Sequence, residues 1–201
     1  MNRIGTLAQF SNVGRVTLTA AVVLALAGCA GHGTYTQEHL ERSRLRQNLL
    51  KSEIQAQMAN QQYLAGDLEK ALKSVDNAIE MNKESAEMHV LRGRILLELG
   101  SLEQSRLAFV KATTLNPKNV DAAYFQGILS ERAGKTDDAI THYQQAMTID
   151  PANPQYVIAA AEMLIQRKDT GAAKDLLSSR GTDFAQNAGF RQLQGQIAML
   201  E

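Results

Sequence analysis

The chain has 201 residues, with 21 Lys and Arg against 21 Asp and Glu, four His and a single cysteine. A formal charge of zero with no basic block gives no footing for nucleic-acid binding. The lone Cys29 has nothing in the chain to pair with, which excludes an intrachain disulfide.

Residues 1–28 read as an export signal. Arg3 and Arg15 supply positive charge without any acid, and Val16 to Ala27 is an apolar run. That run falls short of the roughly 18 apolar residues needed to span a bilayer. It ends in Leu26-Ala27-Gly28-Cys29, which resembles the bacterial lipobox, where the chain is cut before a cysteine that then carries acyl chains. The competing reading is an ordinary A-x-A site at Ala25-Leu26-Ala27, cut before Gly28. The lipobox resemblance implies a covalent diacylglycerol and an N-acyl chain on Cys29, and a membrane contact through that anchor. Ala30, rather than Asp, follows the cysteine. In Gram-negative lipoproteins this implies release to the outer membrane, on its periplasmic face. Removing 1–28 leaves 201 − 28 = 173 residues, with 21 − 2 = 19 basic against 21 acidic side chains. That length suffices for one elongated domain.

Residues 29–36 form a small, Gly-containing tether. From Gln37 to Leu64 there is no Pro or Gly, which predicts continuous helix: a leader over 37–51 running into the first repeat from Ser52. Leu40, Leu45, Leu49, Ile54 and Met58 follow at spacings of four or five, read as an apolar helical stripe. A coiled-coil dimer arm is the alternative for this segment.

Beyond Ser52 one spacing of 34 governs the chain. Gly66, Gly100 and Gly134 keep it, as do Ala78, Ala112 and Ala146, and Pro117 and Pro151. So do the bulky Val75, Phe109, Tyr143 and Leu177, and the small Ala71, Ser105, Ala139 and Ala173. A fixed period in this range means stacked supersecondary units, none of which can bury its apolar face alone. Each unit reads as a first helix, a tight turn at Gly, a second helix and a Pro- or Asn-bearing turn. Helix pairs are predicted near 53–65 and 67–81, 86–99 and 101–114, 120–133 and 135–148, and 154–167 and 169–179. Ser101 with Gln104 predicts a capping box, and Asn153 before Pro154 predicts a cap followed by proline at the first helical position. Gly93, Gly127 and Gly195, with Ala59 and Ala161 in the same column, are expected at close helix crossings.

These residues resemble the tetratricopeptide repeat family, most plainly at Gly127, Gly134, Ala139, Tyr143, Ala146 and Pro151. The unit before matches at Gly93, Gly100, Phe109, Ala112 and Pro117, with Ser105 for the usual Ala. The tryptophan common early in the first helix is replaced by His89, Ala123 and Val157, and the fourth unit carries Lys168 for the turn Gly and Arg180 for the late Ala. The resemblance implies an all-α fold, a right-handed solenoid of antiparallel helix pairs. The units fall at about 52–85, 86–119, 120–153 and 154–187, followed by a capping helix over 188–201.

No catalytic or metal motif stands out: there is no G-x-S-x-G, H-E-x-x-H, phosphate-binding loop or Cys pair. The histidines His32, His39, His89 and His142 share no short ligand spacing, and Asp137-Asp138 fits the dipole at a helix start. Function is therefore sought on the concave face, where first-helix residues outside the pair contact should point. That face is expected to carry Asn60 and Tyr63; Arg94, Leu97 and Glu98; and Tyr124, Phe125, Ile128, Glu131 and Arg132. Leu97 and Ile128 are read equally as seals between repeats. Arg94 and Tyr124 are expected to project with no packing partner, so that truncating both should weaken a partner without loss of stability. Some members of the family hold the carboxylate terminus of heat-shock chaperones in a Lys/Asn/Arg clamp. Here Asn60 occupies one place of that clamp, but Ala56, Leu91, Asp121 and Phe125 occupy the others.

The whole is expected to be a non-enzymatic scaffold anchored in the cell envelope, binding another envelope protein or peptide segment, with no nucleic acid and no small-molecule substrate. It is similar to small tetratricopeptide lipoproteins that assist assembly of type IV pilus secretins. An adaptor recruiting peptidoglycan hydrolases or proteases is the alternative, and an enzyme a distant third.

Overall fold

Residues 32–200 are described in the computed structural model; the expected signal segment and Cys29 lie outside them. Nine helices and no strand make up the described residues. They are α1 (His32–Leu64), α2 (Leu68–Met81), α3 (Ala86–Glu98), α4 (Leu102–Leu115) and α5 (Val120–Arg132). α6 (Thr136–Ile149), α7 (Pro154–Gln166), α8 (Thr170–Ser179) and α9 (Ala188–Leu200) complete the chain. The expected pairs all appear, with boundaries displaced by one or two residues. The chain divides at Leu49, and the repeats lie in the part from Leu50 onward.

Two expectations for the N-terminal stretch need correction. Helix already covers His32–Thr36 of the expected tether. A glycine there costs little, because the amides of a first turn have no intrahelical partner anyway. The apolar stripe does not exist as one face: Leu40, Leu45, Leu49, Ile54 and Met58 are all exposed. Spacings averaging about 4.5 advance roughly a quarter turn at each step beyond the 3.6-residue period, so these side chains spiral around the helix.

The turn inside each pair has one geometry. Gly66, Gly100 and Gly134 sit at φ +80°, +74° and +71°, the left-handed residue that ends a helix. The next amide then reaches back five residues, as Ser101 does to the Leu96 carbonyl at 2.9 Å and Lys135 to Ser130 at 2.8 Å. The degenerate fourth unit keeps this turn with Lys168 at φ +65°, and Asp169 bonds Leu164 at 2.9 Å. A left-handed residue with a Cβ is strained, so the turn is held by its neighbours rather than by Lys168.

The capping box at Ser101 is absent. Ser101 has ψ 66° and its side chain makes no cap bond, whereas Asp169, at the same ψ after the Lys168 turn, does accept from the Ala172 amide to start α8. Side-chain caps also start α3, α5 and α7, where Ser85, Asn119 and Asn153 accept from Met88, Ala122 and Gln155. Pro154 occupies the first turn of α7 as expected.

The two helices of a unit meet at the small-residue columns. A Cβ added at Gly93 would lie 2.5 Å from the Phe109 ring, and one at Gly127 would run into the Tyr143 ring. Phe109 and Tyr143 are buried over these glycines. Ser105, where Ala is usual, is fully buried and donates its hydroxyl to the Gly93 carbonyl at 2.7 Å. Gly195 breaks the expectation. It is exposed on α9, and an added Cβ there would meet nothing. That helix instead buries Phe190, Leu193 and Ile197 against α7 and α8 and so closes the array.

Two substitutions test these contacts by urea denaturation. Lys168→Gly relieves the left-handed strain and should stabilise by about 1 kcal/mol. Gly127→Ala overpacks the crossing and should cost about 1–3 kcal/mol.

Candidate partner-binding site

The first helices of the first three units share a face. On it an open cavity of about 520 Å³ is lined by Ala56, Gln57 and Asn60 of α1, Met88, Val90, Leu91 and Arg94 of α3, and Asp121 of α5. Glu53, Ser85, Glu87 and Asn119 complete the lining.

Arg94 organises this region. Its guanidinium lies 4.9 Å from the centroid of Tyr63 and 4.8 Å from that of Phe125, so rings from neighbouring units grip it. Its Nε is buried and has no hydrogen-bond partner among the described residues. Phe125 stacks on Phe109 with centroids 5.9 Å apart and planes 7° from parallel. Tyr124 meets Tyr156 at 5.3 Å, Phe125 at 5.5 Å and Tyr143 at 5.7 Å. The expectation that Arg94 and Tyr124 lack packing partners is therefore wrong. Both touch side chains contributed by neighbouring units, and a pattern repeated within each unit does not display such contacts.

The other expected residues divide between core and surface. Leu97 is 2% exposed and belongs to the core with Phe109, Val90 and Leu129, so it is a seal and not a docking group. Ile128 is half-buried and bridges two core clusters. Arg132 donates to the Leu97 carbonyl at 3.0 Å and to the Glu98 carboxylate at 3.2 Å, tying the ends of α3 and α5 together. Glu131 accepts from the Tyr143 hydroxyl at 2.8 Å. Burial, then this bond, pushes the Tyr143 phenol far up, so it stays a donor. Asn60 remains exposed at the cavity edge. Glu53, Glu87, Gln57 and Met88 also line the cavity but were not among the expected site residues. For the two acids the sequence did hold a signal, since they stand 34 apart.

A second cavity of about 380 Å³ lies between α4, α5 and α6, lined among others by Leu102, Val110, Gln126, Leu129 and His142. The His142 Nδ1 is buried without a partner among the described residues, and desolvation holds the ring's pKa below its ordinary value, with Asp138 opposing. Among the described residues no cluster of three metal-ligating side chains occurs, and no helix is long and apolar enough to cross a membrane.

Stacked helix pairs presenting a lined face define a helical-repeat interaction scaffold. Models of the tetratricopeptide repeat match residues 57–113, 103–154 and 132–197, and the chain belongs to that family. Proteins of this family are in general non-enzymatic scaffolds for protein–protein contacts. Over 163 residues, 75% of this chain, it is 28% identical to the CTR9 homolog of Arabidopsis thaliana, covering 15% of that protein. The chain spans 14–21% of the length of the curated relatives it matches. A tetratricopeptide repeat protein from Parabacteroides merdae superposes with a TM-score of 0.66 at 16% identity, over 74% of this chain and 59% of that one. The first tetratricopeptide domain of Spaghetti (RPAP3), bound to the HSP90 peptide SRMEEVD, superposes with a TM-score of 0.58 at 13% identity, over 60% and 95%.

Tyr124→Ala should cost about 3 kcal/mol in urea denaturation, because it removes a ring packed on three others. Arg94→Ala should cost about 1 kcal/mol through loss of the stacked cation. Alongside His89, which desolvation shifts in the same direction, His142 contributes to the pH dependence. Its native pKa lies below the unfolded value, so protons favour the unfolded chain as pH falls below about 6.5, and nothing is lost above that. Thermal melts from pH 7 to pH 5 should therefore fall less steeply for His142→Gln than for the parent chain.

Proposed function

We propose that the chain is a non-enzymatic scaffold of the bacterial cell envelope, anchored through acyl chains on Cys29, that holds a segment of another envelope protein on the face shared by α1, α3 and α5. The observation that carries this reading is the open cavity on that face, with an aromatic-gripped Arg94 on its wall and half-buried aromatics beside it. Rigid aromatics and a guanidinium are the side chains that most often dominate affinity at protein contacts. Support comes from the RPAP3 relative in fold, which holds a peptide. The anchor reading rests on the placement of Cys29 at the end of an apolar run. Two or more acyl chains make such anchoring effectively permanent, whereas one is marginal. Tethered in this way, the repeats serve the assembly of an outer-membrane complex, as small tetratricopeptide lipoproteins serve secretins.

Photo-crosslinking in cells distinguishes this face from the rest of the molecule. A crosslinking residue at exposed Asn60 should trap one envelope protein, while the same residue at exposed Glu103, beside the second cavity, should trap none. A product from Glu103 with none from Asn60 overturns the reading. In the same cells Cys29→Ser should leave the protein unacylated and outside the membrane fraction; recovery in the outer membrane as before would contradict the anchor.

A further inference from the structure

Glu53, Glu87 and Asp121 stand at the repeat spacing of 34, one carboxylate in each of three successive first helices. All three line the cavity, and none forms an ion pair with another described residue. Acids in a first turn are ordinarily explained by the helix dipole, which suits Glu87 in α3 and Asp121 in α5. That explanation fails for Glu53, which lies deep inside α1, far beyond the reach of its N-terminus.

Three carboxylates among the lining residues face a single guanidinium. Arg94 is the only cation among the lining residues, and Tyr63 and Phe125 hold it from two sides. Arg132, next along the first helices, spends its donors on the Glu98 carboxylate and the Leu97 carbonyl. Further on, burial and then the nearby Glu131 push the Glu162 carboxyl up, the response of an acid that lacks a cation partner.

We propose that this face selects a partner segment carrying Lys or Arg side chains, which meet Glu53, Glu87 and Asp121, and rejects acidic segments and carboxylate termini. The proposal rests on the reading that this face holds a partner segment. Charge complementarity of this kind sets specificity and approach rate, because a like-charged segment is repelled before any apolar contact forms.

The test uses the purified full chain and three fluorescein-labelled peptides of one length, alternating Leu with Lys, with Gln or with Glu. Fluorescence anisotropy should show binding of the Leu-Lys peptide and none of the Leu-Glu peptide, with affinity falling steeply as salt is raised. The variant E53Q/E87Q/D121N should bind the Leu-Lys peptide about tenfold more weakly, from three exposed ion pairs each worth a few-fold. The control E69Q/E80Q/D175N removes the same number of exposed acids elsewhere and should stay within about twofold. The single variants D121N and E87Q, checked by thermal melts, give the same test if the triple variant is unstable. Equal weakening in the two triple variants overturns the proposal, since net charge alone then explains binding. Equal affinity for the Lys and Gln peptides, with Asn60 crosslinking retained, overturns the charge selection and leaves the shared face as the partner site. Failure of all three peptides, with no crosslink at Asn60, overturns both.

Discussion

Each unit depends on the approach of its two helices at a single crossing. The crossing pairs stand 16 residues apart: Ala59 with Val75, Gly93 with Phe109, Gly127 with Tyr143, and Ala161 with Leu177. Volume is traded across the pair. Where the first helix carries Gly, the second carries an aromatic ring buried against the bare backbone; where it carries Ala, the second carries an aliphatic side chain. The interior stays close-packed either way, so the crossing geometry is preserved while the residues change. Fixing that crossing fixes which face of the first helix is left for a partner.

The fold was largely legible because the determinants of a repeat recur at one interval and reinforce one another. The glycine turns, the alanine columns and the closing helix could all be placed from spacing. The errors were local. At Ser101 the left-handed turn forms and satisfies the last carbonyls of α3, while the hydroxyl makes no cap bond. Gly195 sits in the crossing column by number alone, since no further second helix follows to press against it. Along α1, a string of apolar residues looked periodic but drifts around the helix.

The site was legible only in outline, for a physical reason. Period identifies equivalent positions, but a groove is made by contacts between equivalent and inequivalent positions of adjacent units. Arg132 and Glu98 occupy the same position one unit apart and bond to each other, which a column by itself does not reveal. Arg94 takes one ring from the unit before it and one from the unit after. The acidic column was visible as numbers, yet its meaning came from seeing its three carboxylates gathered in one cavity with Arg94 as the single lining cation.

Helix packing and the character of this face therefore depend on the same side chains. Tyr124 touches Tyr143 and Tyr156 and so packs, half-buried, on the core of the third and fourth units. Tyr143 sits over Gly127 at the crossing and, through its hydroxyl, also holds Glu131. Phe109, at the corresponding position of the preceding unit, has no hydroxyl and stacks on Phe125 instead, and Phe125 in turn grips Arg94. Between these two units the changes go together, Phe109 for Tyr143, Leu97 for Glu131 and Phe125 for Ala159, so that one crossing supports a cation and the next an anion on the adjoining surface. The array can vary the electrostatics of its face from unit to unit without altering the helix packing that carries it.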